Sequence, residues 1–196
     1  MVTPSFQILM SSDIPILYPD SCPKDEYDPS YIILQKRTST SVSFNRNWQE
    51  YEDGFGDPIG DMWLGLKRMY ILCGTPKVCE MYVFLMKMDW STEWAHYYSV
   101  SVTDASDDYL LSVNHYTGDG ADGLTTVNGI AFSTHDNDND ETVGFNCAMS
   151  KGGGWWYNDC GVTNLNGLYG STGVDAIMWN ENVDYRKVVI KIKFRA

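Results

Sequence analysis

Asp136, Asp138 and Asp140 alternate with Asn137 and Asn139, so a short run of side chains carries an oxygen donor at every position. Hard oxygen donors at this density suit Ca²⁺. Just downstream, Cys147 and Cys160 bracket Gly152, Gly153, Gly154, Trp155, Trp156 and Tyr157. Cross-linked, such cysteines would lock a glycine-rich loop into one shape. The stretch 128–169 therefore reads as an ion-ordered binding surface rather than a catalytic centre. It is not an EF-hand: counted from Asp136, Glu141 stands where that loop needs glycine, and the closing position is Cys147. The plain alternative is an acidic surface turn held by Asx-type hydrogen bonds.

Other chemistries find little support. There is no GxSxG elbow, no HExxH and no phosphate-cradling loop. Gly118–Gly123 is rich in glycine, but Asp119 and Asp122 would repel phosphate, so it reads as a solvated loop. No pair of carboxylates stands out as a glycosidase pair, so an enzyme is not expected. The net charge of −12 argues against a nucleic-acid partner, which needs a positive surface. No apolar run is long enough to span a bilayer, so no membrane insertion is expected. The cysteines are Cys22, Cys73, Cys79, Cys147 and Cys160, with neither CxxC nor zinc-type spacing. They read as two disulfides plus one leftover, in an oxidising compartment. Met1–Pro19 lacks the basic start and apolar core of a signal peptide, so the expectation is a chain that begins inside a longer protein or without its natural N-terminus.

At 196 residues, 14% of them aromatic, the chain is long enough for one well-buried domain. The proline-rich residues 1–21 read as an irregular arm. Tyr31–Arg37 is β-branched and apolar up to its basic end, a strand. Asn47–Tyr51 reads as a short helix ending before Gly54, and Gly60–Lys67 as the start of a second, with Trp63 and Leu64 facing the core. Glu80–Asp89, Tyr97–Val102 and Asp108–Val113 read as strands. Residues 117–175 hold few runs able to form elements. In Val183–Phe194, Val188, Ile190, Ile192 and Phe194 share one face and Lys187, Lys191 and Lys193 the other. That pattern predicts a half-exposed strand returning to the sheet.

With these landmarks in place, the sequence resembles the fibrinogen C-terminal domain family, which includes ficolins and tachylectins. The matching residues are Ile33–Arg37, Phe44–Tyr51, Asp53–Gly56, Trp63–Gly65, Asn128-Gly129, Phe132–Thr134, Asp136–Asp140, Asn146–Ala148, Gly154–Asn158, Cys160 and Asn164–Gly167. The resemblance implies an α+β fold over residues 22–196: a central twisted antiparallel sheet with short helices, plus a loop-rich calcium and ligand subdomain at about 117–178. Residues 1–21 would be a truncated N-terminal subdomain. Cys22 matches a family cysteine whose partner would lie upstream, where residues 1–21 offer none. Cys73 and Cys79 are extra to the family pattern; they flank Gly74-Thr-Pro76, either as a local disulfide or as two buried thiols.

The resemblance also implies site residues. Asp138 and Asp140 would be side-chain ligands of Ca²⁺. Counting forward gives the carbonyls of Thr142 and Gly144; counting back from Cys147 gives Val143 and Phe145. Asp136 would cap a turn or stand behind the ligands. Cys147 and Cys160 would form the disulfide that closes the pocket loop, worth about 3 kcal/mol in the chain-entropy model. Trp155 and Trp156 would fill core. Asp159, Cys160 and Gly161 would line the ligand pocket across a cis Asp159–Cys160 bond, with Trp179 either in the pocket wall or in the core. Gly161 replaces a histidine of lectin-like and fibrin-binding members. Lys151 replaces an aspartate of fibrinogen γ, whose later Tyr-Asp pair falls near Gly170 and Ser171. These departures argue against binding of fibrin knobs.

The expected protein is thus a secreted, extracellular, non-catalytic module that is ordered by calcium. It would bind glycans, with acetylated ones in view, or other surface ligands in innate-immune recognition. The alternative is a protein-binding module of matrix or receptor-ligand type. Any homo-oligomer would form through regions outside this sequence.

Overall fold

The computed structural model describes residues 30–161, 163–179, 183 and 185–195. The expected arm 1–21 and Cys22 lie outside them. The first strand, β1 (Ile32–Arg37), lies where its apolar composition predicts. Asn47 then starts α1 (Trp48–Asp53) with a capping box: its side chain accepts from the Glu50 amide, and the Glu50 carboxylate accepts from the Asn47 amide. Gly54 stops this helix at φ 87°, where an added Cβ would sit 2.4 Å from the Leu64 carbonyl oxygen. There follow β2 (Phe55–Gly56), β3 (Met62–Trp63), α2 (Leu66–Cys73) and the long strands β4 (Cys79–Lys87), β5 (Thr92–Val102) and β6 (Leu111–Gly118). The loop-rich part contributes β7 (Phe132–Ser133), α3 (Cys147–Lys151), β8 (Trp155–Trp156), β9 (Thr163–Asn164) and β10 (Met178–Trp179). The last strand is β11 (Tyr185–Phe194).

Seven strands form one antiparallel sheet in the order β2-β3-β1-β11-β4-β5-β6. Two small ribbons, β7-β8 and β9-β10, stand outside it. The central sheet with short helices, and an element-poor segment between β6 and β11, is the α+β layout expected.

Three local expectations are corrected. No helix starts within 60–67 before Leu66; Met62 and Trp63 instead form a strand opposite Lys36 and Gln35. Asp61 explains this, because its carboxylate accepts from the amides and hydroxyls of Thr38 and Ser39 at 2.7–3.1 Å and ties the segment to the end of β1. The strand expected from Asp108 begins at Leu111, because Asp108 and Tyr109 are left-handed at φ 49° and 52°. That turn sends the Tyr109 hydroxyl inward to donate to Glu52 at 2.8 Å. The final strand is not half-exposed. It lies between β1 and β4, so both of its edges are paired, and side chains pack on both of its faces along Val188–Ile192. Val188, Ile190 and Ile192 face the main core, while Val189 joins Tyr82 and Phe84 on the other face. Lys191 is buried there too, its ammonium 4.7 Å from the Tyr82 ring and 4.8 Å from that of Tyr31. Phe194, expected inside, is exposed.

Cys73 and Cys79 form a disulfide, so the thiol alternative falls away. It closes the turn between α2 and β4.

The loop-rich part is fastened to the sheet through polar groups as much as apolar ones. Arg37 is buried; its guanidinium donates to the Leu165 and Gly167 carbonyls at 3.2 and 2.8 Å and lies 3.8 Å from the Phe44 ring centre. Burial lowers its pKa to about 10, so it stays charged at neutral pH. Gln35 donates to the same Leu165 carbonyl and to Asn166, whose side chain in turn donates to the Gly154 carbonyl. The Tyr51 hydroxyl accepts from the Gly154 amide and donates to the Phe44 carbonyl. Around this network Tyr51, Trp63, Phe132 and Trp156 pack ring on ring, with Phe132 and Trp156 edge to face at 4.9 Å. Arg37→Met should therefore cost about 2 kcal/mol, because it leaves the buried Gly167 carbonyl without its donor while the Leu165 carbonyl keeps only Gln35. Urea unfolding checks this; a change below about 1 kcal/mol would refute the role given to Arg37.

Candidate functional site

The ribbon β7-β8 sets Phe132 opposite Trp156 and Ser133 opposite Trp155. The acidic run leaves β7 directly, so it emerges beside the cysteine-bracketed loop. Within the run, alternate residues have different tasks. Asn139 turns inward; its side chain donates to the Phe132 carbonyl at 2.9 Å and its amide to the Ser133 hydroxyl at 3.0 Å. Asp136 accepts from the Thr134 hydroxyl at 2.7 Å and from the Trp48 amide at 2.9 Å. It thereby caps the first turn of α1, one of the two roles expected for it. Burial pushes its carboxyl up, but these hydrogen bonds outweigh that and hold it below the usual range.

Asp138 and Asp140 remain. Asp140 accepts from the Thr142 amide at 2.8 Å and, with its other oxygen, from the Cys147 amide at 2.7 Å. Asp138 is exposed. Burial of its carboxyl and the neighbouring Asp140 carboxylate both push its pKa up. Two carboxylates crowded together are what a divalent cation would relieve. Among the described residues no cluster of three or more His, Cys, Asp or Glu side chains converges, so a cation here would need backbone carbonyls and water as well. The next turn is the available source. Thr142 is half-buried, Gly144 is exposed at φ 78°, and Val143 and Phe145 are exposed. The donor chemistry thus fits a hard, oxygen-loving cation.

The disulfide expected from the resemblance is present: Cys147 and Cys160 are joined, with Cα atoms 4.9 Å apart. Asn146 caps α3 by accepting from the Met149 amide, which fixes the orientation of the first cysteine. The Thr142 hydroxyl lies 3.3 Å from the Cys147 sulfur and 3.4 Å from an Asp159 carboxylate oxygen. Acidic run, disulfide and Asp159 are therefore one surface unit. The expected cis bond is corrected. Among the described residues the cis bond is Thr75–Pro76; Asp159–Cys160 is trans, and the backbone turns instead through Cys160 at φ 47°. A non-proline cis bond costs about 3 kcal/mol, and the left-handed residue makes the bend without it.

Asp159 is exposed and Gly161 half-buried, so both remain at the surface. Trp179 does not join them. It is 1% exposed, donates to the Ala121 carbonyl at 3.0 Å, and packs so tightly on Gly123 that a Cβ there would touch its ring at 2.8 Å. Its core reading holds and its pocket reading is corrected. Trp155 and Trp156 are core, as expected. Lys151 lies at the end of α3, where burial lowers its pKa. The loop 118–123 is less free than expected: Asp119 accepts from the Trp94 amide, and Asp122 from the Tyr97 hydroxyl and the Thr125 amide. Gly170 and Ser171 line a cleft that also contains Arg186, a residue that no sequence motif marked.

Comparison with known proteins agrees with this architecture. Residues 17–195 match the family model described as fibrinogen beta and gamma chains, C-terminal globular domain, and this protein belongs to that family. It is similar to mouse angiopoietin-related protein 6, at 36% identity over 168 residues, covering 82% of this chain and 36% of that protein. The matched region thus spans about a third of that relative's length. The fibrinogen-like globe domain of human ANGPTL2 superposes with a TM-score of 0.81 at 32% identity, covering 94% of this chain and 93% of that one. Lamprey fibrin D-dimer complexed with the peptide ligand Gly-His-Arg-Pro-amide superposes at 0.76 with 28% identity, covering 83% of this chain and 60% of that one.

The crowded carboxylates have a consequence for pH. Asp138 has a folded pKa above its ordinary 3.8, so its contribution favours the fold below that value and is lost as pH rises through the folded pKa. In chelator, Asp138→Asn should therefore be at least as stable as the parent at pH 7, with a flatter stability profile above pH 3.8. Thermal melts in chelator across that range check this; a clearly lower melting temperature for Asp138→Asn at pH 7 would contradict the crowding.

Proposed function

We propose that this protein is a secreted, non-catalytic recognition module that binds a protein surface ligand, with Ca²⁺ ordering the loop that presents the site. Asp138 and Asp140 would hold the ion, together with the carbonyls of Thr142 and Gly144. One observation carries the reading: the crowded pair Asp138 and Asp140 lies in the same surface unit as the Cys147–Cys160 disulfide, and Val143, Phe145 and Met149 expose apolar side chains around it. Apolar groups rimmed by polar ones suit a protein partner. The two disulfides support an oxidising, extracellular compartment. The peptide bound by lamprey fibrin is a precedent for a peptide ligand on this fold.

A glycan reading is weaker, because Trp179 is taken up by the core and offers no aromatic wall beside Gly161. Binding of a peptide amine is weaker too, with Lys151 and Gly161 where binding relatives carry other residues. A single module engaging one site would bind weakly, because avidity needs two or more linked sites.

Two measurements test the reading. Calcium should raise the melting temperature of the parent, and Asp138→Ala should lower it in calcium while changing it little in chelator. Equal losses in both conditions would remove the metal from the account. Retention on acetylated-sugar resin, released by chelator, would restore the glycan reading against the protein one.

A further inference from the structure

Away from the calcium loop, the turn between β4 and β5, the start of β11 and the loop 168–177 enclose a cleft of about 190 Å³. Among the described residues, Arg186 is its one charged lining side chain. The guanidinium lies 4.0 Å from the centre of the Trp90 ring. Among the described residues it donates no hydrogen bond and forms no ion pair, and its Nε is buried without a partner. The other polar groups of the cleft are already engaged. The Tyr169 hydroxyl donates to the Arg186 carbonyl, the Ser171 hydroxyl to Asp175, and the Tyr185 hydroxyl to Glu93 and the Trp179 carbonyl. Glu93 itself is paired with Lys87 at 2.9 Å. Arg186 thus keeps unspent donors in a protein of net charge −12, where a carboxylate partner would be easy to supply.

The surroundings are shaped for more than a bare ion. Trp90 is 64% exposed and sits at φ 71°, a left-handed conformation that is strained for a bulky residue. Ser91 bonds the Asp89 carboxylate through its amide and hydroxyl, and the Trp90 amide donates to the Lys87 carbonyl, which holds the turn in that form. Met88 and Leu168, both 54% exposed, supply apolar rim. Arg186 is half-buried, with its Nε–H shielded from water and unpaired, and a planar guanidinium fork matches a carboxylate with two parallel hydrogen bonds.

We propose that this cleft is a second binding site, which takes the carboxylate of a peptide with an apolar side chain next to it, clamped between Arg186 and the rim of Trp90, Met88 and Leu168. A polyanion such as a sulfated glycan fits less well, because the overall negative charge repels it while a single carboxylate needs only one cation. The inference rests on the recognition reading only in taking a peptide as ligand, and it does not involve the calcium loop.

The test is a titration, followed by NMR at the Trp90 indole, with acetyl-Gly-Ala-Leu bearing a free carboxylate and with the same peptide as its amide. The acid should bind at least about tenfold more tightly than the amide, and Arg186→Gln should weaken the acid by about tenfold or more. Arg186→Lys, which keeps charge without the fork, should fall between; its thermal melt guards against a folding defect. Chelator should leave this binding unchanged even if it abolishes every property of the calcium loop. Equal binding of acid and amide, Arg186→Gln binding like the parent, absence of binding at millimolar peptide, or inorganic sulfate binding as tightly as the acid would each overturn the proposal.

Discussion

A buried arginine at the end of a sheet strand is the constraint on which the rest depends. The segment from β7 to β10 has only two-residue strands and one short helix among its described residues, so its backbone finds few partners in ladders of its own. Unpaired carbonyls could not be buried against the sheet at acceptable free energy. Arg37 and Gln35 solve this by donating from β1 into the carbonyls of Leu165 and Gly167, and Asn166 and Tyr51 extend the network to Gly154. Burying a charge is itself costly, and the Phe44 ring and the carbonyl oxygens are what Arg37 gains in place of water. Gln35 and Arg37 share the Leu165 carbonyl, so the members are coupled through common acceptors.

The same logic positions the proposed recognition surface. Three attachments converge on the acidic run: the β7-β8 ribbon at its start, the Asp136 cap on α1 next to it, and the Asp140 bond to the Cys147 amide at its end. These leave Asp138 crowded against Asp140 and turned to the surface. The disulfide then fixes how far the aromatic loop can move from that pair. An acidic repeat that reads as uniform in sequence is thus divided into anchor, support and an exposed carboxylate held by the Asp140 amide, according to the neighbours each residue meets.

The central place of β11 has consequences for the whole domain. The last strand lies between the first and the fourth, so the sheet is incomplete until synthesis has almost reached residue 196. Contacts of such sequence separation carry a loop-closure cost before they stabilise anything. Burial on both faces is the compensation, and it explains why a strand rich in lysine can hold Lys191 beneath two tyrosine rings. The long aliphatic stem packs while the ammonium meets ring faces.

Sequence by itself determined the sheet-forming runs, the short helix behind Asn47, the element-poor lobe and the disulfide-bracketed loop, because these follow from local composition and from matched motifs. The family resemblance, rather than local composition, set Asp136 apart as a turn cap, the role its bond from the Trp48 amide gives it. Tertiary structure alone decided four things. Met62 and Trp63 became a strand because Asp61 binds Thr38 and Ser39, residues more than twenty positions away. Trp179 went to the core because Gly123 leaves room for its ring. The lysine face of β11 was covered at Lys191 because Tyr31 and Tyr82, from other parts of the sequence, lie over it. Arg186 met Trp90 because a turn and a distant strand end lie side by side. Periodicity reports which faces of a segment are apolar; it does not report which neighbour, brought from far along the sequence, will cover the polar ones.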